Sequence, residues 1–226
     1  MVESIIYRNL INVYNCHPEK LARVGAVQHG LEEALTDVKE NTTDFFYQFS
    51  PKGVTGIYLW PKGHFSIHTW PERGMAAIDL VGYPHDERTL MTRLKSNFPA
   101  NYVPVQSMRS VERGRPQVGQ EVYGTLTAIE NSEYLGQERS ILDLLKDISE
   151  SAHFNVIGEV SRSDGECIDA AVILAESHFS VHYNRIRKEI VVDIFTCGKE
   201  GDPQSGYEFL KHAIQAQELQ RVKVRR

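Results

Sequence analysis

One pattern of residues occurs twice in this chain, and only the second copy carries reactive side chains at both ends. From Gly63 to Tyr83 the first copy aligns without a gap with Ser177 to Cys197 of the second. The copies read GHFSIH and SHFSVH at their starts, and IDLVGY and VDIFTC at their ends. The repeat predicts two similar halves of about 110 residues each, close to the usual size of a domain. A duplicated fold with a hydroxyl and a thiol in one copy alone predicts one composite site.

The hydrophobic periodicity predicts an α+β fold. We expect strands at residues 5–14, 43–49, 54–60, 64–70 and 75–83 and helices at 18–40 and 86–98 in the first half. In the second half we expect strands at 121–129, 154–160, 169–175, 178–183 and 189–196 and helices at 138–154 and 204–217. Tight turns between strands favour antiparallel pairing. Two helices cover one sheet face and the other face needs a partner, so an αββα sandwich of the halves is predicted.

The domain boundaries follow from the same pattern. A stretch containing Gly114, Pro116 and Gly119 predicts a linker at 112–120, between a first repeat at 1–111 and a second at 121–226. The basic residues at 109–115 and 221–226 are interpreted as a solvated linker and tail.

Composition excludes several classes of protein. A net charge of −5 and a pI near 6.0 argue against a binder of nucleic acid or of an anionic membrane surface. The sequence has neither an apolar run long enough to span a bilayer nor a signal-peptide pattern at its start. Three cysteines, Cys16, Cys167 and Cys197, do not form a disulfide framework, and no spacing typical of a metal site is present. We therefore expect a cytoplasmic protein without a metal.

Five motifs resemble the S-adenosylmethionine decarboxylases of bacteria and archaea. They are YNCHPEKL at 14–21, FSPKGVTG at 49–56, IHTWPE at 67–72, AESH at 175–178 and DIFTCG at 193–198. The resemblance implies that the chain cleaves itself between Glu176 and Ser177. Ser177 would become a pyruvoyl group that forms a Schiff base with the substrate amine, so no separate cofactor is needed. The products would be an N-terminal fragment, 1–176, and a pyruvoyl-capped fragment, 177–226.

The resemblance also assigns roles to residues of both halves. Cys197 would donate a proton to the α-carbon after loss of carbon dioxide. From the first half, Thr55 would supply a hydroxyl for processing and His68 would abstract the α-proton of the serine. Glu72 would bind the ribose hydroxyls and Phe49 would stack on adenine. The reciprocal site would combine Gly63 and Tyr83 with Asp169, His182 and Ile186. It should be inactive, because Gly63 cannot form a pyruvoyl group and Ile186 cannot bind ribose.

Three functions are consistent with these residues. The first is decarboxylation of S-adenosylmethionine, a small-molecule substrate, for spermidine biosynthesis. The second keeps the pyruvoyl chemistry but acts on ornithine or arginine. The third is a non-catalytic partner that activates another decarboxylase, which the retained Glu176, Ser177 and Cys197 argue against. Assembly into a further homo-oligomer is left open.

Overall fold

The computed structural model describes residues 8–49, 52–105, 119–175, 177–197 and 201–225. The chain divides into two compact units, residues 1–106 and 107–226. Each unit contains a six-stranded antiparallel sheet and a small number of helices. The prediction of an α+β fold made of two repeated halves is confirmed. Among the described residues, no helix is long and apolar enough to cross a membrane.

The first unit has six strands in the order β2-β3-β4-β5-β1-β6. The strands are β1 (Arg8–Tyr14), β2 (Thr43–Gln48), β3 (Val54–Trp60), β4 (Gly63–Trp70), β5 (Met75–Val81) and β6 (Asn101–Pro104). The helices are α1 (Pro18–Leu21), α2 (Val24–Ala34) and α3 (Glu87–Asn97), with 3₁₀ turns at Lys39–Asn41 and Pro71–Arg73. Asp86 caps α3 by accepting hydrogen bonds from the amides of Arg88 and Thr89.

The second unit has the same topology. Its strands are β7 (Gln120–Thr127), β8 (Val156–Ser163), β9 (Cys167–Leu174), β10 (Ser177–Asn184), β11 (Glu189–Thr196) and β12 (Gln217–Arg225). Its helices are α4 (Glu138–Ser151) and α5 (Pro203–Ala213), with a 3₁₀ turn at Glu133–Leu135. The order β8-β9-β10-β11-β7-β12 matches β2-β3-β4-β5-β1-β6 strand for strand.

The helices of each unit cover one face of its sheet. In the first unit, Val27 and Leu31 of α2 and Leu90 of α3 pack with Phe65 and Ile67 of β4 in one apolar core. The second core has the same construction and contains Ile141, Leu145, Tyr207, Phe179 and Val181. Because side chains alternate along a strand, the residues between these core positions lie on the opposite face.

On strands β4 and β10 that opposite face is polar and nevertheless buried. On β4 it carries His64, Ser66 and His68, and on β10 it carries His178, Ser180 and His182. All six side chains are at most 4% exposed. Ser66 Oγ donates to Asp79 Oδ2 at 3.0 Å, and His178 Nε2 lies 3.4 Å from Asp193 Oδ2. His68 and its partner Thr55 lie on this face of the first unit. Ser177 is the first residue of β10, directly before His178.

Three details of the predicted elements are wrong. The single helix at 18–40 is broken, because Arg23 is extended (φ −140°, ψ 137°) between α1 and α2. The basic tail is not a free tail, since residues up to Arg225 form β12 and pair with β7. Gln120, placed in the linker, begins β7. Most of the predicted linker, 112–118, lies outside the described residues, and the predicted domain limits remain predictions.

Candidate active site

The second unit brings Ser177 and Cys197 together. Pairing of His178 with Phe195 in the β10–β11 ladder places the start of β10 beside the end of β11. The amide of Cys197 donates to Ser177 Oγ at 3.1 Å, and Ser177 Oγ lies 3.9 Å from Cys197 Sγ. Ser177 is 5% exposed, and Cys197 is partly exposed. Glu176, on the other side of the expected cleavage bond, lies outside the described residues.

The first unit brings Thr55 and His68 together. The two residues face each other across the β3–β4 ladder. Thr55 Oγ1 and His68 Nδ1 are 3.1 Å apart, and both side chains are fully buried. A hydroxyl within hydrogen-bond reach of an imidazole is the arrangement that general acid–base chemistry requires.

Glu72 lies in the 3₁₀ turn that follows β4. Its side chain is half exposed and is 3.9 Å from Arg73 Nε. The turn ends at Gly74, whose φ of 59° lies in the left-handed region that glycine adopts without strain. The amide of Cys16 donates to Gly74 O at 3.0 Å, and a Cβ at Gly74 would lie 2.9 Å from Cys16 O. The end of β1 therefore fixes this turn, and burial raises the pKa of the Cys16 thiol beside it.

Phe49 packs against the turn between β2 and β3. It is 6% exposed, and its amide donates to Gly53 O at 2.9 Å. A Cβ on Gly53 would lie 1.9 Å from the Phe49 ring, so only glycine leaves room for it. The ring is therefore held in place by the hairpin. Its role in stacking on adenine remains a prediction.

The position equivalent to Ser177 is closed in the first unit. A Cβ on Gly63 would lie 2.1 Å from Val81 O and 2.4 Å from Trp60 Nε1. Trp60 Nε1 donates to Gly82 O at 3.0 Å, and the Trp60 and Tyr83 rings meet edge to face at 5.7 Å. The first copy therefore lacks the serine and also has no space for one. Sequence analysis assigned no such role to Trp60, because its contact with Gly82 depends on the fold.

In the second unit a carboxylate and an imidazole occupy the positions equivalent to Thr55 and His68. His182 Nδ1 lies 2.8 Å from Asp169 Oδ1, and Arg162 Nη1 donates to Asp169 Oδ2 at 3.1 Å. Asp169 is fully buried and the Arg162 side chain is 16% exposed. Arg162 was also missed by sequence analysis, although the β8–β9 register places it opposite Asp169. Ile186, the counterpart of Glu72, is 72% exposed.

Both halves match one family model, described as S-adenosylmethionine decarboxylase, over residues 7–113 and 120–226. The chain belongs to the S-adenosylmethionine decarboxylase family. The separate match of each half agrees with the repeated sheet topology of the two units. The resemblance found in the five motifs is thereby confirmed at the level of the family.

The matched proteins of this family each align with about half of this chain or less. The S-adenosylmethionine decarboxylase proenzyme of Pyrococcus furiosus is 31% identical over 111 residues, which is 48% of this chain and 80% of that protein. The corresponding proenzyme of Aquifex aeolicus is 35% identical over 81 residues, covering 35% of this chain and 60% of that protein. A crystal structure of the adenosylmethionine decarboxylase from Aquifex aeolicus is similar at 27% identity and a TM-score of 0.39, covering 48% of this chain and 93% of that one.

Proposed function

We propose that this chain is a self-processing, pyruvoyl-dependent decarboxylase of S-adenosylmethionine whose pyruvoyl precursor is Ser177. The observation that carries the proposal is the contact of Ser177 with Cys197 at the β10–β11 edge. Membership of the family and the buried Thr55–His68 pair also support it. The product would be the aminopropyl donor for spermidine.

Processing begins with the Ser177 hydroxyl. The Cys197 amide orients Ser177 Oγ, which attacks the carbonyl carbon of residue 176 and converts the peptide bond into an ester. His68 then removes the α-proton of Ser177. The Cα–Cβ double bond forms as the bond between Cβ and Oγ of the serine breaks. The first fragment leaves with a carboxylate, and water converts the remaining dehydroalanine into pyruvoyl with release of ammonia. Thr55 would hydrogen-bond the oxyanion formed in the attack.

The residues around Ser177 fit the formation of a pyruvoyl group, because the serine is nearly buried and the Cys197 amide orients its Oγ for the attack. Such a group would supply the sink for the electron pair that stays on the α-carbon when the substrate carboxylate leaves as carbon dioxide. The Cys197 thiol would then deliver a proton to the α-carbon. Glu72 would bind the ribose hydroxyls and Phe49 the adenine, so these two residues orient the substrate.

A single site per chain follows from the closed position at Gly63. Trp60 and the Val81 carbonyl occupy the space that a serine side chain would need there. The Arg162–Asp169–His182 contacts replace the hydroxyl–imidazole pair in the other half. These differences support division of labour between the copies, with the hydroxyl and base in one and the pyruvoyl precursor in the other.

The proposal is tested by the intact mass of the purified full-length chain and by release of carbon dioxide. We expect two fragments, the smaller comprising residues 177–226 with a pyruvoyl N-terminus, and activity on S-adenosylmethionine. Ser177→Ala should remain a single chain, whereas Ser180→Ala, on the same strand, should still split. Splitting of Ser177→Ala at the same bond would refute the mechanism.

Two other outcomes would select the alternative functions. Carbon dioxide released only from ornithine or arginine would replace the substrate and keep the chemistry. An unsplit, inactive wild-type chain would point to a non-catalytic partner of another decarboxylase.

A further inference from the structure

The last residue of β11, Thr196, makes a side-chain hydrogen bond to a residue further along the chain. Its Oγ1 donates to Gly201 O at 3.3 Å, and Thr196 is only 3% exposed. The next residue, Cys197, carries both groups that contact Ser177. The hydrogen bond therefore joins the end of the strand, directly before Cys197, to the segment that leads into α5 at Pro203.

Gly201 is itself held in place by the core of the second unit. A Cβ at Gly201 would lie 2.7 Å from the Phe154 ring, and one at Gly206 in α5 would lie 2.9 Å from the same ring. Phe154 is 8% exposed and belongs to the apolar core. Asp202, directly after Gly201, caps α5 with its side chain. The carbonyl that accepts from Thr196 is thus fixed both to the core and to a helix.

The main chain of Thr196 is also packed closely against β7. Thr196 pairs with Gln120 in the β11–β7 ladder. A Cβ at Gly119 would lie 2.5 Å from Thr196 O, so the backbone approaches there as closely as only glycine allows. The sheet holds the carbonyl of Thr196 and the Gly201 contact holds its side chain, so Cys197 follows a residue that is fixed on two sides.

The equivalent position of the first copy does not offer this contact. Gly82 aligns with Thr196, and its φ of 58° lies in the left-handed region that threonine rarely adopts. Strand β5 ends at Val81, one position before the equivalent end of β11. The hydroxyl is therefore present in the copy that has the serine and the thiol, and absent from the copy that lacks them.

We propose that Thr196 is a positioning residue for Cys197. Its hydrogen bond to Gly201 O would hold the end of β11 so that the Cys197 amide points at Ser177 Oγ and the thiol stays beside that oxygen. For its effect on reaction rates, the inference rests on the proposed function, because it makes one remote hydroxyl important for both cleavage and turnover. Thr196 would act through Cys197 and take no part in the bond changes.

The first experiment measures the rate of fragment formation, and the decarboxylation of S-adenosylmethionine by the fully split enzyme. Thr196→Val removes the hydroxyl and keeps the shape of the side chain. We expect it to lower both the cleavage rate and kcat by about 2- to 10-fold, the equivalent of one side-chain hydrogen bond, with KM unchanged. Thr196→Ser retains the hydroxyl and should keep both rates within about 2-fold of wild type.

Thr125→Val is the matched control for loss of a hydrogen bond from a buried threonine. Thr125 is 5% exposed, and its Oγ1 accepts from Gln220 Nε2 at 3.3 Å, the same distance as in the Thr196 contact. It lies on β7, five residues after the partner of Thr196. We expect this variant to lose free energy of unfolding and to cleave and turn over at wild-type rates.

A second experiment follows the Cys197 thiol without relying on cleavage. Its alkylation by iodoacetamide is measured by peptide mass in the Ser177→Ala background, in which every chain should stay whole. Cys197 is partly exposed and the other two cysteines are buried, so their reactions are resolved from one another. Loss of the Gly201 contact should free the thiol, and we expect Thr196→Val to raise the alkylation rate about 2- to 10-fold. Thr125→Val should leave it unchanged.

The results separate this inference from the proposed function. Wild-type rates and wild-type alkylation in Thr196→Val would overturn the inference, and so would a loss of unfolding free energy alone, as expected for the control. Equal losses in Thr196→Ser and Thr196→Val would show that the hydroxyl is not responsible, which also overturns it. If the wild-type chain does not split, the proposed function fails, and alkylation then decides the role of Thr196.

Discussion

The backbone amide of Cys197 donates a hydrogen bond to the side-chain oxygen of Ser177 at 3.1 Å. The contact is made by the main chain, so it does not require the thiol. Cys197 therefore offers two separable groups at one position: an N–H that orients the serine, and an Sγ that lies 3.9 Å from the same oxygen. A single variant that keeps the amide and removes the thiol can therefore distinguish self-cleavage from decarboxylation.

Cys197→Ala should split normally but lose decarboxylase activity. The amide that holds Ser177 remains, whereas the proposed proton donor is removed. General acid catalysis contributes about 10²–10⁴-fold in rate, and we expect kcat to fall by that order. Intact mass measures the first effect and release of carbon dioxide the second. Cys167→Ala, a buried cysteine at the start of β9, is the control for loss of a thiol. Full activity of Cys197→Ala would remove the thiol from the mechanism.

The two equivalent histidines, His68 and His182, should respond differently to the same substitution. His68→Asn removes the proposed base, and we expect the chain to remain whole over hours in which wild type splits completely. His182→Asn breaks the contact with Asp169, which we expect to lower stability and leave the cleavage intact. Time courses of fragment formation, with thermal unfolding measured in parallel, test both variants. If cleavage is blocked equally in both variants, the assignment of His68 to cleavage and of His182 to stability is contradicted.

The link between Asp37 and Arg93 should make stability depend on pH. Arg93 Nη1 donates to Asp37 Oδ2 at 2.7 Å, and this hydrogen bond lowers the pKa of Asp37. A carboxylate with a lowered pKa stabilises the folded state above its unfolded pKa of about 3.9, and the contribution disappears as the pH falls through the folded pKa.

Urea unfolding of wild type and Asp37→Asn at several pH values between 7 and 3 tests this link. We expect the difference in unfolding free energy to be constant at pH 5 to 7 and to shrink below about pH 4. Glu40→Gln, in the neighbouring 3₁₀ turn, controls for removal of a surface carboxylate. A difference that stays constant down to pH 3 would show that the Arg93 contact does not matter for stability.

The parts of the fold that follow from local pattern were predictable. The interval between Ser177 and Cys197 fits two strands joined by a tight turn, so their proximity could be inferred from the sequence. The same argument could have placed Thr55 opposite His68, where the structure has it. The bounds of strand β12 were not predictable in this way, because eight of its nine residues are exposed or partly exposed and its charges hide the alternation. It is a strand because β7 offers an open edge.

The contacts that close the first copy were beyond sequence reasoning for a different reason. The sequence shows that Gly63 replaces a serine, but not that Trp60 and a carbonyl of β5 fill the space. The break at Arg23 likewise goes against an apolar spacing that continues across it. In both places tertiary packing determines the local structure.

Restoring the serine in the first copy should fail. In Gly63→Ser the new Cβ would meet Val81 O at 2.1 Å and Trp60 Nε1 at 2.4 Å, so strand β5 or the indole must move. Overpacking of this kind destabilises a protein by about 1–3 kcal/mol. We expect that loss in urea unfolding and no second cleavage at residue 63 by intact mass. Gly136→Ser is the matched control, because a Cβ there meets nothing within 4 Å, and it should change stability by less than about 0.5 kcal/mol. Cleavage at residue 63 would show that loss of the serine alone inactivated this copy.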